Sequence, residues 1–346
     1  MRLAVDVMGG DQAPDAILSG CFLGLELLAP SDQLVLIGPG PLIKDVLFER
    51  GIKDPRIEVV HAEEVIGMEE SPVDAVRGKK GSSIVRMAML GSAKASAAEH
   101  CDVILSAGNT GACVAAATMH MRRLPGIHRP GIAVTIPTFH GPVVMCDVGG
   151  NPEPRSSHLW QYGIMAEAFA RQVHKIANPR VAVINIGSEE TKGTELIRHA
   201  ADMLKATPGI NYIGYVEGRE VFNGGCDVVV TDGFIGNALL KMIEGMAKAI
   251  VEAIFRELIS SNPAALLDLE PTFKVLAKKM DYHEYGGAPL LGVNGVCVIA
   301  HGSSEARTIR SAIRNAKLFH DSQFNQVIVE RVAELDKVMG KQAAAV

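Results

Sequence analysis

The segment Ser106-Ala-Gly-Asn-Thr-Gly-Ala112 stands between the apolar run Asp102-Val-Ile-Leu-Ser106 and the alanine-rich stretch from Ala112 to Met121. A strand, a glycine-bearing turn and a helix start in that order gather free backbone N–H groups at the positive end of a helix. Such a place suits a phosphate or another small anion. The N–H groups of Gly108 to Gly111 and the side chains of Asn109 and Thr110 are the candidate donors. The other reading is a structural turn whose glycines permit positive φ or close helix–strand packing. Similar punctuation closes four further apolar runs: Asp6-Val-Met-Gly-Gly-Asp11, Asn185-Ile-Gly-Ser-Glu-Glu190, Asp232-Gly-Phe-Ile-Gly-Asn237 and His301-Gly-Ser-Ser304. Ligands of open α/β sheets bind beyond the carboxyl ends of strands, so five such turns are expected to converge on one cleft. That many together point to an enzyme.

The elements that must position these turns are also visible. Val- and Ile-rich runs recur at 3–7, 34–37, 57–60, 103–105, 132–136, 143–148, 181–186, 212–216, 228–230 and 296–300. Most are continuous, as strands covered on both faces should be. Helical patterns lie between them at 13–28, 42–50, 83–98, 157–175, 194–205 and 304–318. The alternation predicts an α/β fold with a doubly wound, mostly parallel sheet. Residues 1–335 read as a single catalytic unit with two lobes, and 336–346 as a disordered tail. Residues 239–280 break the alternation with a long helix pattern and then Leu266, Leu267, Leu269, Phe273 and Leu276 beside Lys274, Lys278 and Lys279. A helix pair buried in the core or in a dimer is one reading of this excursion; an apolar tip touching a membrane surface is the other.

Composition narrows the class further. The 346 residues are 48% apolar but only 5% aromatic, so the core must be built of aliphatic side chains. Thirty-five glycines fit many ligand-facing turns better than a helical bundle. A formal charge of -5 leaves no overall basic face for nucleic acid. The six cysteines are scattered through apolar runs, with no Cys-x-x-Cys pair and no histidine cluster at metal spacing. They read as reduced core residues of a cytoplasmic protein. The first residues, charged by Asp6, read as a strand and not a signal peptide.

Several of these blocks carry a family resemblance. Ala4-Val-Asp-Val-Met-Gly-Gly-Asp11, Ser106-Ala-Gly-Asn-Thr-Gly-Ala112, Cys146-Asp-Val-Gly-Gly-Asn151, Thr231-Asp-Gly-Phe-Ile-Gly-Asn237 and Asp281-Tyr-His-Glu-Tyr-Gly-Gly-Ala-Pro-Leu-Leu-Gly292, with His301-Gly-Ser-Ser304 behind them, resemble the signature blocks of the PlsX family. These are bacterial phosphate acyltransferases, and the blocks run in family order from residue 3 to about 320. Gly150, Pro152 and Gly81 depart from the family pattern, as does the helix after Trp160. The resemblance implies a fold similar to phosphotransacetylases and to isocitrate/isopropylmalate dehydrogenases. It implies transfer of a fatty acyl group from acyl-[acyl carrier protein] to inorganic phosphate, giving an acyl phosphate for phospholipid synthesis. It also implies a homodimer with no required metal or organic cofactor.

That reaction assigns provisional roles. Phosphate is partly a dianion at neutral pH, so no covalent enzyme nucleophile is required; the anion must be held and developing charge stabilised. Lys192 is the candidate to neutralise phosphate or the oxyanion, against an ordinary solvated lysine. Asn237 is a candidate oxyanion donor, and Asp232 either orients a donor or caps the helix that follows Gly233. His301, beside Ser303, is a candidate proton donor to the leaving thiolate or a capping residue. Asp6, with Gly9, Gly10 and Asp11, would shape the cleft floor, since carboxylates repel phosphate. Ser106 completes the anion turn. An acidic carrier protein needs a local basic face. Arg77, Lys79, Lys80 and Arg86 offer one; Arg122, Arg123, His128 and Arg129 offer another. The alternatives are a phosphotransacetylase using a coenzyme A thioester and a non-catalytic scaffold that recruits partners to the membrane.

Overall fold

Strand β1 (Arg2–Asp6) opens a sheet of eleven strands whose spatial order is β3-β2-β1-β4-β11-β10-β5-β6-β9-β7-β8. A computed structural model of the chain describes residues 1–261, 269, 271, 272 and 286–343. The first half of the sheet comprises β1, β2 (Gln33–Gly38), β3 (Ile57–His61), β4 (Val103–Ser106) and β11 (Val296–Ile299), all mutually parallel. The second half comprises β6 (Gly141–Cys146), β7 (Arg180–Ile184), β8 (Asn211–Val216) and β9 (Val228–Val230), also mutually parallel. Between the halves lie β10 (Ala288–Leu291) and β5 (Gly131–Thr138), which meet each other and their outer neighbours antiparallel.

Three consecutive antiparallel joints reverse the strand direction. The carboxyl ends of β1, β4 and β11 therefore point to one edge of the sheet, and those of β6, β9 and β7 to the other. Each half has its own change of winding direction. In the first half it falls between β1 and β4; in the second it falls between β9 and β7.

Helices cover both faces. Named in chain order they are α1 (Asp15–Gly24), α2 (Gly40–Glu49), α3 (Pro72–Gly78), α4 (Ser83–Leu90), α5 (Thr110–His120), α6 (Ser156–Val173), α7 (Glu195–Lys205), α8 (Gly233–Ser261), α9 (Ala306–Ser322) and α10 (Phe324–Ala343). Helix α6 is apolar nearly all round, which marks an internal helix. Tyr162 and Phe169 are fully buried there, and Trp160 Nε1 donates to Thr207 Oγ1 at 2.7 Å. Aliphatic side chains of the strands fill the core on both faces of the sheet, and all six cysteines are buried and unbonded.

The strands fall where the apolar runs predict them, with one addition. Strand β10 is Ala-Pro-Leu-Leu between Gly287 and Gly292, too short and too punctuated to stand out, since proline removes a ladder donor. Helix α8 starts at Gly233, before the predicted 239. Helix α10 runs to Ala343. The apolar segment at 266–280, apart from Leu269, Pro271 and Thr272, lies outside the described residues, as do 281–285 of the block ending at Gly292. Among the described residues no helix is long and apolar enough to cross a membrane.

Helices α1 and α9 pack closely because glycines remove bulk. A Cβ on Gly20 would stand 2.5 Å from Ile309 Cβ and 2.7 Å from the Ala306 carbonyl oxygen. Gly20→Ala should therefore lower stability by about 1–3 kcal/mol, since backbone cannot retreat cheaply. Gly245, inside α8, has nothing within 4 Å of the equivalent position, so Gly245→Ala should instead raise stability by up to about 1 kcal/mol. Urea unfolding of the two variants checks the opposite signs.

Candidate active site

Each half of the sheet holds a crevice where its winding reverses, the place at which open α/β sheets bind ligands. In the first half, β1 ends on Asp6, which is fully buried. Its carboxylate accepts from Ser106 Oγ at 2.8 Å and from the Met8 N–H at 3.1 Å, while Ser106 Oγ accepts from the Gly108 N–H at 3.0 Å. Gly9 must lack a side chain, because a Cβ there would stand 2.5 Å from both Asp6 Oδ2 and Gly108 N. Gly10 has φ +114, and the next residue, Asp11, donates its N–H to the Gly302 carbonyl at 2.8 Å. The turns after β1, β4 and β11 are thereby stitched together. His301 and Ser303 are exposed beside them, with His301 Nδ1 2.8 Å from Ser303 Oγ.

Asn109 is held by hydrogen bonds within the fold. Its Oδ1 accepts from the Ala112 N–H at 3.0 Å and so caps α5. Its Nδ2 faces the carbonyls of Gly67, Met68 and Glu70 at 3.2, 3.0 and 3.1 Å. Both polar atoms of the amide are engaged in local structure. The N–H groups of Thr110 and Gly111 meet no acceptor among the described residues, and the exposed side chain of Thr110 stands beside them.

The second crevice is built around a residue that the sequence reading did not single out. Asp147, at the end of β6, is fully buried. Its carboxylate accepts from the N–H groups of Ile132 and Gly150, each at 2.9 Å, and Asn151 at 2.6 Å. Burial pushes this carboxyl up to about 6, against the opposing pull of those N–H donors. Asp6 is raised for the same reason, opposed by the hydroxyls of Ser83 and Ser106. The start of α8 lies directly on the Asp147 loop. A Cβ on Gly236 would fall 2.0 Å from the Asp147 carbonyl oxygen, and one on Gly233 2.7 Å from the Asn151 oxygen. Asp232 caps this helix, its Oδ1 accepting from the Ile235 N–H at 2.8 Å. Asn237 is half-buried, 3.7 Å from the Cβ position of Gly149, and its amide has no hydrogen-bond partner among the described residues.

The loop after β7 completes this crevice. Buried Asn185 accepts from the Ile186 N–H at 2.9 Å and donates to the Lys192 carbonyl at 3.3 Å. Gly193, at φ +84, packs against that amide, where any side chain would collide. Lys192 is thus fixed by its backbone while its side chain is exposed and makes no ion pair among the described residues. Arg198 donates to the Gly193 carbonyl at 2.6 Å, a second cation on the same loop. Asn185 and Arg198 were missed because their roles depend on a loop closing back on itself.

By strand direction the five turns divide between the two edges of the sheet. Asp6, Gly9, Gly10, Ser106, Gly108, Asn109, Thr110, Gly111, His301 and Ser303 belong to the first crevice; Lys192, Asp232, Gly233 and Asn237 belong to the second. No group of three or more His, Cys, Asp or Glu side chains placed to hold a metal occurs among the described residues.

An α/β enzyme built on one mixed sheet, with a crevice at each of its two switch points, is the class these features define. Solved phosphotransacetylases share the fold: that of Streptococcus pyogenes superposes with a TM-score of 0.62 at 15% identity, covering 92% of this chain and 94% of the other. The EutD phosphotransacetylase from Staphylococcus aureus gives 0.58 at 14% identity, covering 91% and 94%. In sequence, residues 1–327 match the family described as "Fatty acid synthesis protein". The phosphate acyltransferase of Heliobacterium modesticaldum is 44% identical over 338 residues, 96% of this chain and 98% of its relative. That of Clostridium perfringens is 40% identical over 336 residues, covering 96% and 97%. The chain belongs to this family, the PlsX phosphate acyltransferases, and is a transferase.

The electrostatics of Asp147 lead to a pH test. A carboxyl with an ordinary value of 3.8 that rises to about 6 on folding binds its proton more tightly in the native state. Its contribution is full below pH ~4 and is lost as pH rises through ~6, on the order of 2–3 kcal/mol. Buried His174, pushed down to about 4, titrates with the opposite sign over the same window. The two oppose each other in the wild type. Asp147→Asn leaves His174 alone, so its stability, lower throughout, should climb from pH 4 to 6 more steeply than the wild type's. Chemical unfolding across that range measures the difference; parallel curves would refute the shift.

Proposed function

We propose that this enzyme transfers a fatty acyl group from the thioester of an acyl carrier protein to inorganic phosphate, and that the chemistry belongs to the second crevice. The observation that supports this reading is the contrast between two amides. Asn109 is fully hydrogen-bonded within the fold, whereas among the described residues Asn237, at the start of α8, has no hydrogen-bond partner and Lys192, in the same crevice, has no ion pair. A helix N-terminus, a cation and a free amide form an anion-stabilising set.

In this reading a phosphate oxygen attacks the thioester carbonyl carbon. The carbonyl π pair moves to oxygen, and Asn237 Nδ2 and the ammonium of Lys192 receive the charge. Collapse of the oxyanion breaks the C–S bond, releasing acyl phosphate and a thiolate that takes a proton from solvent. Asp232 acts indirectly by capping α8, and Asp147 by holding the loop against which α8 starts. His301 lies with the other crevice, so no proton transfer is assigned to it. The N–H groups at the start of α5, with the Thr110 side chain beside them, are a second anion site. A phosphotransacetylase reading, with a coenzyme A thioester as donor, has the shared fold in its favour.

We read the chain as a single two-lobed unit that pairs through α8, whose Met242, Met246, Ile250 and Ile254 form an exposed apolar stripe. Contact of the excursion with a membrane surface is the other reading of that region.

Purified enzyme incubated with phosphate and either acyl-carrier protein or the matching acyl-coenzyme A should form acyl phosphate with the carrier protein preferred. Lys192→Met removes the charge and keeps most of the bulk, so kcat should fall by roughly 10²-fold or more. Asn237→Ala should lower kcat by roughly 10–10³-fold at unchanged melting temperature. Asn109→Ala should instead cost about 1–2 kcal/mol of stability through the lost cap. Full activity in the Lys192 and Asn237 variants would move the chemistry to the first crevice.

A further inference from the structure

The C-terminal end of α5 carries an unassigned basic groove. Two adjoining depressions of about 490 and 620 Å³ share Arg122 as a lining residue. One contributes Arg86 and Lys94, the other Arg123 and Arg129, over an apolar floor that includes Leu90 and Ile127. Glu99 is the sole carboxylate among the described lining residues, and it accepts from Ser96 Oγ at 2.6 Å. None of these five cations makes an ion pair among the described residues. Arg155 adds to the field at the Arg129 end, since both depress His158, though less than its burial does.

Two backbone facts show that the groove is built. Arg122 occupies the left-handed region at φ +72, where glycine is the ordinary residue after a helix. It is held there by its own N–H to the Ala117 carbonyl at 3.1 Å and by the Asn294 N–H to its carbonyl at 2.9 Å. The loop beyond it is pinned by buried Gln161, which donates to the Gly126 carbonyl at 2.7 Å and accepts from the His128 N–H at 2.8 Å.

The groove also lies on the correct edge of the sheet. The pairing puts the end of α5, the end of β10, the start of β5 and the end of β6 together. Arg129 stands three residues before Ile132, whose N–H is bonded to Asp147 in the second crevice. The other basic stretch, at Arg77 to Lys80, is partly neutralised. Lys79 is neutralised by Glu70 at 2.6 Å, and Glu64 accepts from the neighbouring Gly81 N–H.

We propose that the Arg86–Arg122–Arg129 groove docks an acidic helical face of the carrier protein that brings the acyl thioester, delivering its arm to the Lys192–Asn237 crevice. The inference rests on the carrier-protein reading of the donor. Charge complementarity on a net acidic chain explains why the cations are concentrated in one place.

The test compares wild type, Arg123→Glu with Arg129→Glu, and a control Arg77→Glu with Lys80→Glu, after equal melting temperatures are verified. Each is assayed with acyl-carrier protein and with acyl-coenzyme A, and binding of the carrier protein is followed by surface plasmon resonance at low and raised salt. The groove variant should bind carrier protein roughly tenfold or more weakly and raise its KM to match, with a flattened salt dependence. Its kcat, its KM for phosphate and its turnover of acyl-coenzyme A should not change, and the control should behave as wild type. Unaltered carrier binding, or a raised KM for phosphate, would overturn the docking role. If wild type itself turned over acyl-coenzyme A but not acyl-carrier protein, the donor reading would fall and the docking proposal with it. If the variant unfolds, Arg86→Glu alone carries the same comparison.

Discussion

Backbone N–H groups at the ends of buried strands need acceptors, because water cannot reach them and an unpaired donor costs about 1–3 kcal/mol. This chain meets the need with a buried carboxylate in each half of the sheet. Asp147 gathers N–H groups from its own loop and from the start of β5, so it fixes both the loop and the antiparallel joint beside it. Asp6 does the corresponding work with Ser106 and Met8. The carboxylates are themselves costly to bury, and their raised affinity for protons is the measure of that cost. Glycines 9, 233 and 236 follow from the same constraint, since neighbouring backbone must approach the carboxylate loops too closely for any side chain.

The second determinant is direction. Reversal of the strands through β10 and β5 gives the molecule two winding reversals facing opposite edges. The crevices share an architecture of strand end, tight turn and helix start, but their chemistry differs. The first is lined by backbone and by residues that bond one another. The second holds a lysine and an amide that no other described residue engages. A pre-positioned group without an internal partner is what an anionic transition state requires.

Charge distribution adds a third layer. The net charge is negative, yet the edge that carries the second crevice also carries a run of cations with almost no carboxylates among them. Unpaired surface cations contribute little to stability, whereas their field acts on a partner over about a Debye length, ~8–10 Å. The same edge therefore combines long-range attraction with short-range stabilisation of charge.

Most of the scaffold was legible in the sequence. Continuous Val and Ile runs marked ten of the strands, because burial on both faces leaves no polar alternation to confuse the pattern. Strand β10 escaped because a four-residue element with a proline has no pattern of its own; it exists through pairing on both sides. The family was readable from the turn blocks, where glycine and carboxylate positions are dictated by backbone geometry. The partition of those turns into two crevices was not, since it depends on the sign of each strand pairing. Asn109 and Asn237 illustrate the limit: both follow a strand and stand at a helix start, and as letters they are equivalent. Only the tertiary structure brings the 67–70 carbonyls onto one amide and leaves the other without a partner among the described residues. The sequence by itself determined which residues sit at strand ends; which of them keep a hydrogen bond to spare was decided by what the rest of the chain folds against them.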